Sequence, residues 1–348
     1  MALTSSHEFF IQLHLTERCN LSCSHCYQTG KKTDEMSLDE IRDLAGETAD
    51  MLNLWSEQYN ISFIPSMNIT GGEPLLRHDM FEILDEIGKR GYGLYLLSNG
   101  ILINKERAKV LAGLGVKGVQ VSIEGPEEIH ESIRGKGSFL SSLNGVQCLL
   151  EAGINVTLNV TLSTINAGHM IEMVKLSSCL GVHKLGFSRL VPSGRGAGML
   201  KNMLRKDEVR ELYQAIFSLE TRGLEIVTGD PVASQLRSEY IHHDASAIPT
   251  GGCAAGVSGL TVLPDGTITP CRRMNIPLGN VRKDSLREIW STSPILESLR
   301  DKKRYSGKCS KCLRWTTCRG CRAIAYAYAQ SRGSEEFLGD DPQCFIDE

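Results

Sequence analysis

Two periodicities alternate along residues 8–200: short stretches with the period-two spacing of a strand, and longer ones whose apolar positions recur every three to four residues. Residues 11–15 predict a first strand, and Ser37 with Glu40 forms a capping-box signature opening a helix that runs past Met51. Strands over 67–70, 94–97 and 118–123 follow, each leading into a helix: 79–89, 104–114 and 138–152. Residues 154–162 alternate strictly, with Ile154, Val156, Leu158, Val160 and Leu162 interleaved with Asn155, Thr157, Asn159 and Thr161. A helix over 169–180 then leads to a sixth strand over 184–189. Strands alternating with helices of this length imply βα units, hence an α/β fold with a mostly parallel sheet. Parallel strands covered on both faces read as continuous apolar runs, and the fifth strand does not. Its polar face looks either into a lumen, as in a barrel ringed by helices, or simply into solvent.

Past residue 200 the rhythm changes. A charged amphipathic helix over 206–222 and a polar stretch holding His242, His243 and Asp244 read as a bridge over 201–250, with the histidines solvated. Beyond Gly251 come short strands around a Pro264-Asp265-Gly266 turn and a short helix near 286–290. Composition adds little at first: the 348 residues are 41% hydrophobic and 23% charged, as in an ordinary globular chain. A net charge of −3 gives no electrostatic reason to expect nucleic acid or an anionic membrane as partner. The start lacks the basic-then-apolar pattern of a secretory signal, and no apolar run is long enough for a bilayer, so a cytoplasmic location is expected.

Cysteine changes the picture. Twelve are present, and in a reducing cytosol they point to metal or catalysis rather than to a disulfide framework. Cys148 and Cys179 sit in apolar helical patterns and read as small core residues. Cys19, Cys23 and Cys26 are spaced C-x3-C-x2-C directly after the first strand. Three soft thiolates in one loop can share an iron–sulfur, zinc or copper(I) centre. A structural zinc is normally closed by four ligands, whereas a cubane on three cysteines keeps one iron open. His25 is the fourth ligand a zinc reading would use, though its place between Cys23 and Cys26 makes joint ligation awkward.

This loop resembles that of the radical S-adenosylmethionine family, with His25 where an aromatic residue is usual. Gly71-Gly72-Glu73-Pro74 after the second strand resembles the family's turn that binds the methionine amino group. Ser98-Asn99-Gly100 resembles its ribose-contacting segment, and Ser122-Ile123-Glu124-Gly125-Pro126 its Ser-Leu-Asp-Gly element with Glu for Asp. The resemblance implies a partial (β/α)6 TIM-like barrel over 8–200, with the site at the C-terminal ends of its strands. It also implies cofactor contacts from Gly71, Gly72, Glu73, Pro74, Ser98, Asn99 and Ser122, with Glu124 a lesser candidate; Asn159 joins them on the lumen argument. The implied cofactors are a [4Fe-4S] cluster held by three cysteines and exchangeable S-adenosyl-L-methionine, which yield a radical that abstracts hydrogen from a substrate.

Cys253, Cys271, Cys309, Cys312, Cys318, Cys321 and Cys344 form a second group. Its paired C-x2-C units alone would also suit a zinc ribbon. The whole arrangement, with Gly279-Asn280-Val281 and Leu286-Arg287-Glu288-Ile289-Trp290, resembles the SPASM extension, here over 251–348. By position, Cys253, Cys271 and Cys321 would bind one auxiliary [4Fe-4S] cluster, and Cys309, Cys312, Cys318 and Cys344 the other. No further cysteine precedes Cys253 closely enough to complete the first.

The SPASM resemblance points first to a peptide or protein maturase and second to oxidative decarboxylation of tetrapyrrole propionates in heme or heme d1 pathways. Sulfatase maturation is disfavoured because Arg272 stands where that group has an acid. Arg189, Arg195, Arg272 and Arg273 could clamp carboxylates, or be surface arginines. With Cys19 so early, a peptide would be recognised by the barrel itself or by a separate leader-binding adaptor. A flavodoxin or ferredoxin reductant is implied, as is anaerobic chemistry; no general base is assigned. From another class, a non-catalytic electron carrier or a zinc-structured binding protein remains the alternative.

Overall fold

Strand β1 (Ser6–His14) buries Phe9, Ile11 and Leu13 on one face, leaving Gln12 and His14 on the other. The structure, a computed structural model, describes residues 6–346 except 31–32, 222 and 237–247, so His242, His243 and Asp244 lie outside the described residues. Helix α1 (Leu38–Tyr59) opens on the expected capping box. The Glu40 amide donates to Ser37 Oγ at 3.2 Å, and the Ser37 amide to the Glu40 carboxylate at 2.7 Å. The alternation continues through β2 (Ser62–Thr70), α2 (Met80–Gly88), β3 (Gly93–Ser98), α3 (Lys105–Gly113) and β4 (Val116–Ser122). After β4 come α4 (Glu127–Arg134), α5 (Ser138–Glu151), β5 (Asn155–Leu162), α6 (Met170–Leu180) and β6 (Lys184–Arg189).

Three elements differ from the sequence reading. Strand β2 starts earlier and runs through Pro65, which the reading avoided. β3 begins opposite Ser66, so at Pro65 the missing amide interrupts no bond to β3. Helix α4 was not predicted, although Pro126 before it, Glu127 and Glu128 in its first turn and Gly135 after it are ordinary start and stop signals. The helix expected over 206–222 ends at Phe217 (α7, Lys206–Phe217), and a seventh parallel strand, β7 (Glu225–Thr228), pairs with β6.

The sheet does not close on itself. Its order is β10-β9-β8-β1-β2-β3-β4-β5-β6-β7, where β8 (Gly259–Val262), β9 (Thr267–Thr269) and β10 (Gly279–Asn280) belong to the C-terminal region. β8 runs parallel to β1, with Phe10 opposite Gly259; a Cβ at Gly259 would lie 2.3 Å from the Phe10 carbonyl oxygen, so only glycine allows this approach. β8 and β9 form the hairpin expected around Pro264-Asp265-Gly266. Then come α8 (Leu286–Thr292), α9 (Pro294–Arg300) and α10 (Arg322–Gln330).

Outward faces of the strands pack on the helices: Ile69, Leu96, Val121 and Leu158 meet a core that includes Ile83, Leu111, Leu149 and Met173. Cys148 packs against this core, but Cys179 is exposed. The buried face of α6 carries Met170, Met173 and Ser177, and two residues on from Ser177 the helix has turned away. Among the described residues, no helix is long and apolar enough to cross a membrane.

Candidate active site and cysteine clusters

At the C-terminal ends of the strands, the loop after β1 and the turn after β2 lie backbone to backbone. The Gly72 amide donates to the Thr16 carbonyl at 2.7 Å and the Glu73 amide to the Arg18 carbonyl at 2.8 Å. A Cβ on Gly72 would sit 2.1 Å from the Arg18 carbonyl oxygen, and one on Gly71 2.5 Å from that of Thr16. These glycines, expected as cofactor contacts, also admit the cysteine loop itself. Glu73 is fully buried and accepts from Ser98 Oγ at 3.0 Å and the Asn99 amide at 2.9 Å. Burial raises its pKa, against the lowering pull of these hydrogen bonds. Its carboxylate thus ties the turn after β2 to the turn after β3. Asn99 Nδ2 in turn donates to Asn20 Oδ1 at 2.8 Å and lies 3.9 Å from Cys19 Sγ.

Cys19, Cys23 and Cys26 line one concavity of about 910 Å³ of empty space, partly open to solvent. Gly71, Gly72, Ser98, Asn99, Ser122 and Asn159 line the same space, while Glu73 and Pro74 lie behind it. The polar face of β5 is therefore a lumen face. Gln12, Asn68, Gln120, Asn159 and Ser188 line the adjoining space, which also reaches Cys253, Cys271 and Cys321.

A charged network missed by the sequence reading supports the cysteine loop. Glu124, assigned there as a lesser cofactor contact, is fully buried and accepts from Arg134 Nη2 at 2.5 Å, from the Thr161 amide at 2.8 Å, and faces His25 Nε2 at 3.3 Å. Burial alone would raise the Glu124 pKa; Arg134 and then His25 outweigh it and hold the carboxyl far below its usual range. Arg134 also reaches to 3.8 Å from Cys23 Sγ. The segment leaving β6 closes the other side: the Gly196 amide donates to the Cys26 carbonyl at 2.9 Å, and a Cβ on Gly194 would lie 2.2 Å from the Tyr27 carbonyl oxygen.

Arg189 is not a free clamp. It is buried between two carboxylates, with Nε 2.5 Å from Asp230 and Nη2 2.8 Å from Asp341, and it also donates to Gln343 at 2.9 Å. Asp341 accepts from the Cys321 amide at 2.8 Å, so this network joins β6 to the C-terminal cysteines. Arg195, Arg272 and Arg273 line the concavity.

Cys253, Cys271 and Cys321 line one cavity. Gln235 Nε2 bridges Cys318 Sγ at 3.2 Å and Cys344 Sγ at 3.7 Å, and Cys344 and Cys312 act electrostatically on Cys309. Burial pushes the Cys318 and Cys321 thiols up to about 12 and Cys309 to about 11. Arg319 and Arg322 are buried among these thiols. They donate to backbone carbonyls, Gly251 for Arg319 and Gly339 for Arg322, yet each keeps buried N–H groups without a partner. Buried guanidinium charge and leftover donors of this kind fit anionic thiolate-bound iron–sulfur clusters, whose sulfurs accept hydrogen bonds.

His14 is buried, and burial followed by Arg272 lowers its pKa to about 3. The unfolded ring takes its proton near pH 6.5, so the stability it contributes is intact above that and drains away as pH falls toward 3. Between pH 7.5 and 5.5, thresholds set roughly around the ordinary imidazole value, chemical denaturation should show wild type losing more stability than His14→Phe. Equal slopes would disprove the assignment.

Residues 13–177 match the family model of the radical SAM superfamily, and residues 253–313 that of SPASM, an iron–sulfur cluster-binding domain; Cys318, Cys321 and Cys344 lie past the second match. The AdoMet-dependent heme synthase of Methanosarcina barkeri is 30% identical, over 96% of this chain and 95% of that protein. Mycofactocin maturase MftC of Mycobacterium tuberculosis is 29% identical, over 95% of this chain and 81% of that protein. Among solved structures, Streptococcus suis SuiB bound to S-adenosylmethionine superposes with a TM-score of 0.77 at 17% identity, over 98% of this chain and 78% of that one. Native anSMEcpe with bound AdoMet gives 0.73 at 20% identity, over 98% and 94%.

Proposed function

Because the chain belongs to the radical SAM superfamily and carries a SPASM domain, we propose that it modifies a ribosomally made peptide or protein in the concavity above Cys19, Cys23 and Cys26. When bound, a [4Fe-4S] cluster and S-adenosylmethionine supply one-electron carbon–sulfur cleavage and a 5′-deoxyadenosyl radical that takes hydrogen from the substrate. The chain supplies position. Cys19, Cys23 and Cys26 hold that cluster, and Gly71, Gly72, Ser98, Asn99, Ser122 and Asn159 border the S-adenosylmethionine space. Glu73 and Pro74 fix the turn from behind. Cys253, Cys271 and Cys321 hold one auxiliary cluster; Cys309, Cys312, Cys318 and Cys344 hold the other.

The observation that carries the peptide reading is a mixed inner lining, Gln12, Asn68, Gln120, Asn159 and Ser188 beside Phe10, Leu97, Phe187 and Ile324. Amides and hydroxyls pair with peptide groups, and the apolar positions take up side chains. The similarity to a maturase over 95% of the chain supports it. A flavodoxin or ferredoxin reductant and a separate leader-binding adaptor complete the proposal. A second reading, oxidative decarboxylation of tetrapyrrole propionates, is favoured by the similarity to a heme synthase, which covers more of that relative, 95%, than the maturase match does of its own, 81%.

Anaerobic reconstitution should give about twelve irons per chain, from three cubanes. With dithionite and S-adenosylmethionine the protein should form 5′-deoxyadenosine. The Cys19→Ala, Cys23→Ala, Cys26→Ala triple variant should keep about eight irons and form none. Stoichiometric zinc with little iron would sink the reading. Adding candidate precursor peptides and a porphyrin tetrapropionate then separates the two substrates: a mass change in the peptide, or carbon dioxide release from the porphyrin.

A further inference from the structure

Behind Tyr27, Arg272 and Arg273 lies a second chamber, about 1460 Å³ of partly open space between the end of β1, the segment after β6 and α10. It shares Tyr27, Gln28, Arg272 and Arg273 with the concavity over the cysteine triad, so the two spaces adjoin. Among apolar residues such as Leu263 and Met274, its walls carry several polar groups that lack partners. His14 Nε2, Ser193 Oγ, Thr33 Oγ1 and Arg273 Nε are all buried without a hydrogen bond, and so is one acceptor, Glu17 Oε2. An unpaired buried donor is costly, more so when charged, so several in one chamber call for an occupant.

Donors outnumber acceptors, and the one carboxylate, Glu17, is engaged by Gln28. The Gln28 side-chain nitrogen lies 3.5 Å from His14 Nδ1 and 3.3 Å from Glu17 Oε1, so the amide donates to both. That assignment makes His14 Nδ1 an acceptor and places its single proton on Nε2, facing the chamber. Arg272 stacks over Tyr27 at 5.6 Å. Among the described residues, neither Arg272 nor Arg273 forms an ion pair with a carboxylate. Two guanidinium forks with a neutral N–H beside them match the planar, bidentate acceptor geometry of a carboxylate.

We propose that this chamber is a substrate subsite for a carboxylate, with Arg272 and Arg273 as the cationic fork and His14 Nε2–H as the third donor. The proposal rests on the radical-enzyme reading and deepens it. A carboxylate anchored there leaves the adjoining carbon chain in the concavity above Cys19, Cys23 and Cys26. The carboxylate comes from a peptide terminus or acidic side chain, or from a propionate.

The test is anaerobic equilibrium binding to the reconstituted, S-adenosylmethionine-loaded protein. The probes are an acetylated dipeptide with a free C-terminal carboxylate, its C-terminal amide, a porphyrin tetrapropionate and its methyl ester. One acid should bind wild type at least about tenfold more tightly than its neutral partner, and which acid does so identifies the source. Arg272→Met and Arg273→Met, checked for wild-type iron content, should each remove that preference, and Arg273→Lys should restore part of it. No preference in wild type for either pair, or a preference undiminished in both Met variants, overturns the subsite. Substrate-free 5′-deoxyadenosine formation by wild type is measured alongside. If it is present while the preference is absent, the subsite alone fails; if it is absent, the radical reading fails.

Discussion

Arg189→Leu should destabilise the protein by about 3–5 kcal/mol, because removing one partner of a buried ion pair strands the others. Two carboxylates are stranded here: Asp230, which also accepts from Tyr213 at 2.6 Å, and Asp341, which holds the Cys321 amide. Arg189 and Asp341 have no exposed side-chain surface and Asp230 only 3%, so water cannot readily take over either carboxylate without opening the structure. Urea denaturation of wild type and variant, read by intrinsic fluorescence, measures the loss. The control is Arg189→Leu combined with Asp230→Asn and Asp341→Asn. It removes the stranded charges and should recover part of the stability. A loss below about 1 kcal/mol, the scale of an exposed pair, would show that the network is solvated.

Gly72→Ala should separate the cysteine triad from the C-terminal clusters. The new methyl would meet the Arg18 carbonyl oxygen at 2.1 Å and its carbon at 2.5 Å. Both are backbone atoms, held by the hydrogen bond from Glu73 to Arg18, so no side chain can yield. The loop bearing Cys19 has to move. The expected result is loss of about four irons in about twelve, from one cubane of three, and at least about a hundredfold loss of 5′-deoxyadenosine formation, comparable to a misplaced reacting group. The β8–β9 hairpin and the C-terminal cysteines should be untouched. Full iron and full activity would mean that the loop tolerates displacement.

Local signals made most of the barrel legible. Strict alternation in residues 154–162 announced a polar inner face, and Asn159 and Thr161 do line the concavity. The capping box at Ser37 and the turn at Pro264-Asp265-Gly266 stand where the chain spells them. What stayed hidden depends on distant partners. Arg189 looked like a clamp at a strand end because Asp230 and Asp341 are 41 and 152 positions away. Glu124 looked like a cofactor contact because Arg134 sits on a helix too short to stand out. Pro65 hid half of β2, since a proline's tolerance depends on where the neighbouring strand starts. Gly72 has a neighbour beyond the expected cofactor, the Arg18 carbonyl: a glycine shows that something comes close, not what.

The pairing of β8 with β1 bears on how electrons travel. The cysteine triad leaves one end of β1, and Cys271 follows the hairpin that begins with β8. Four consecutive residue pairs, from Phe10–Gly259 to Leu13–Val262, lock those strands in register. The separation between the first metal loop and the first auxiliary one is therefore set by a hydrogen-bonded ladder rather than by a hinge. With the proposed clusters in place, an electron passing between these two loops would cross a gap that the sheet itself holds constant.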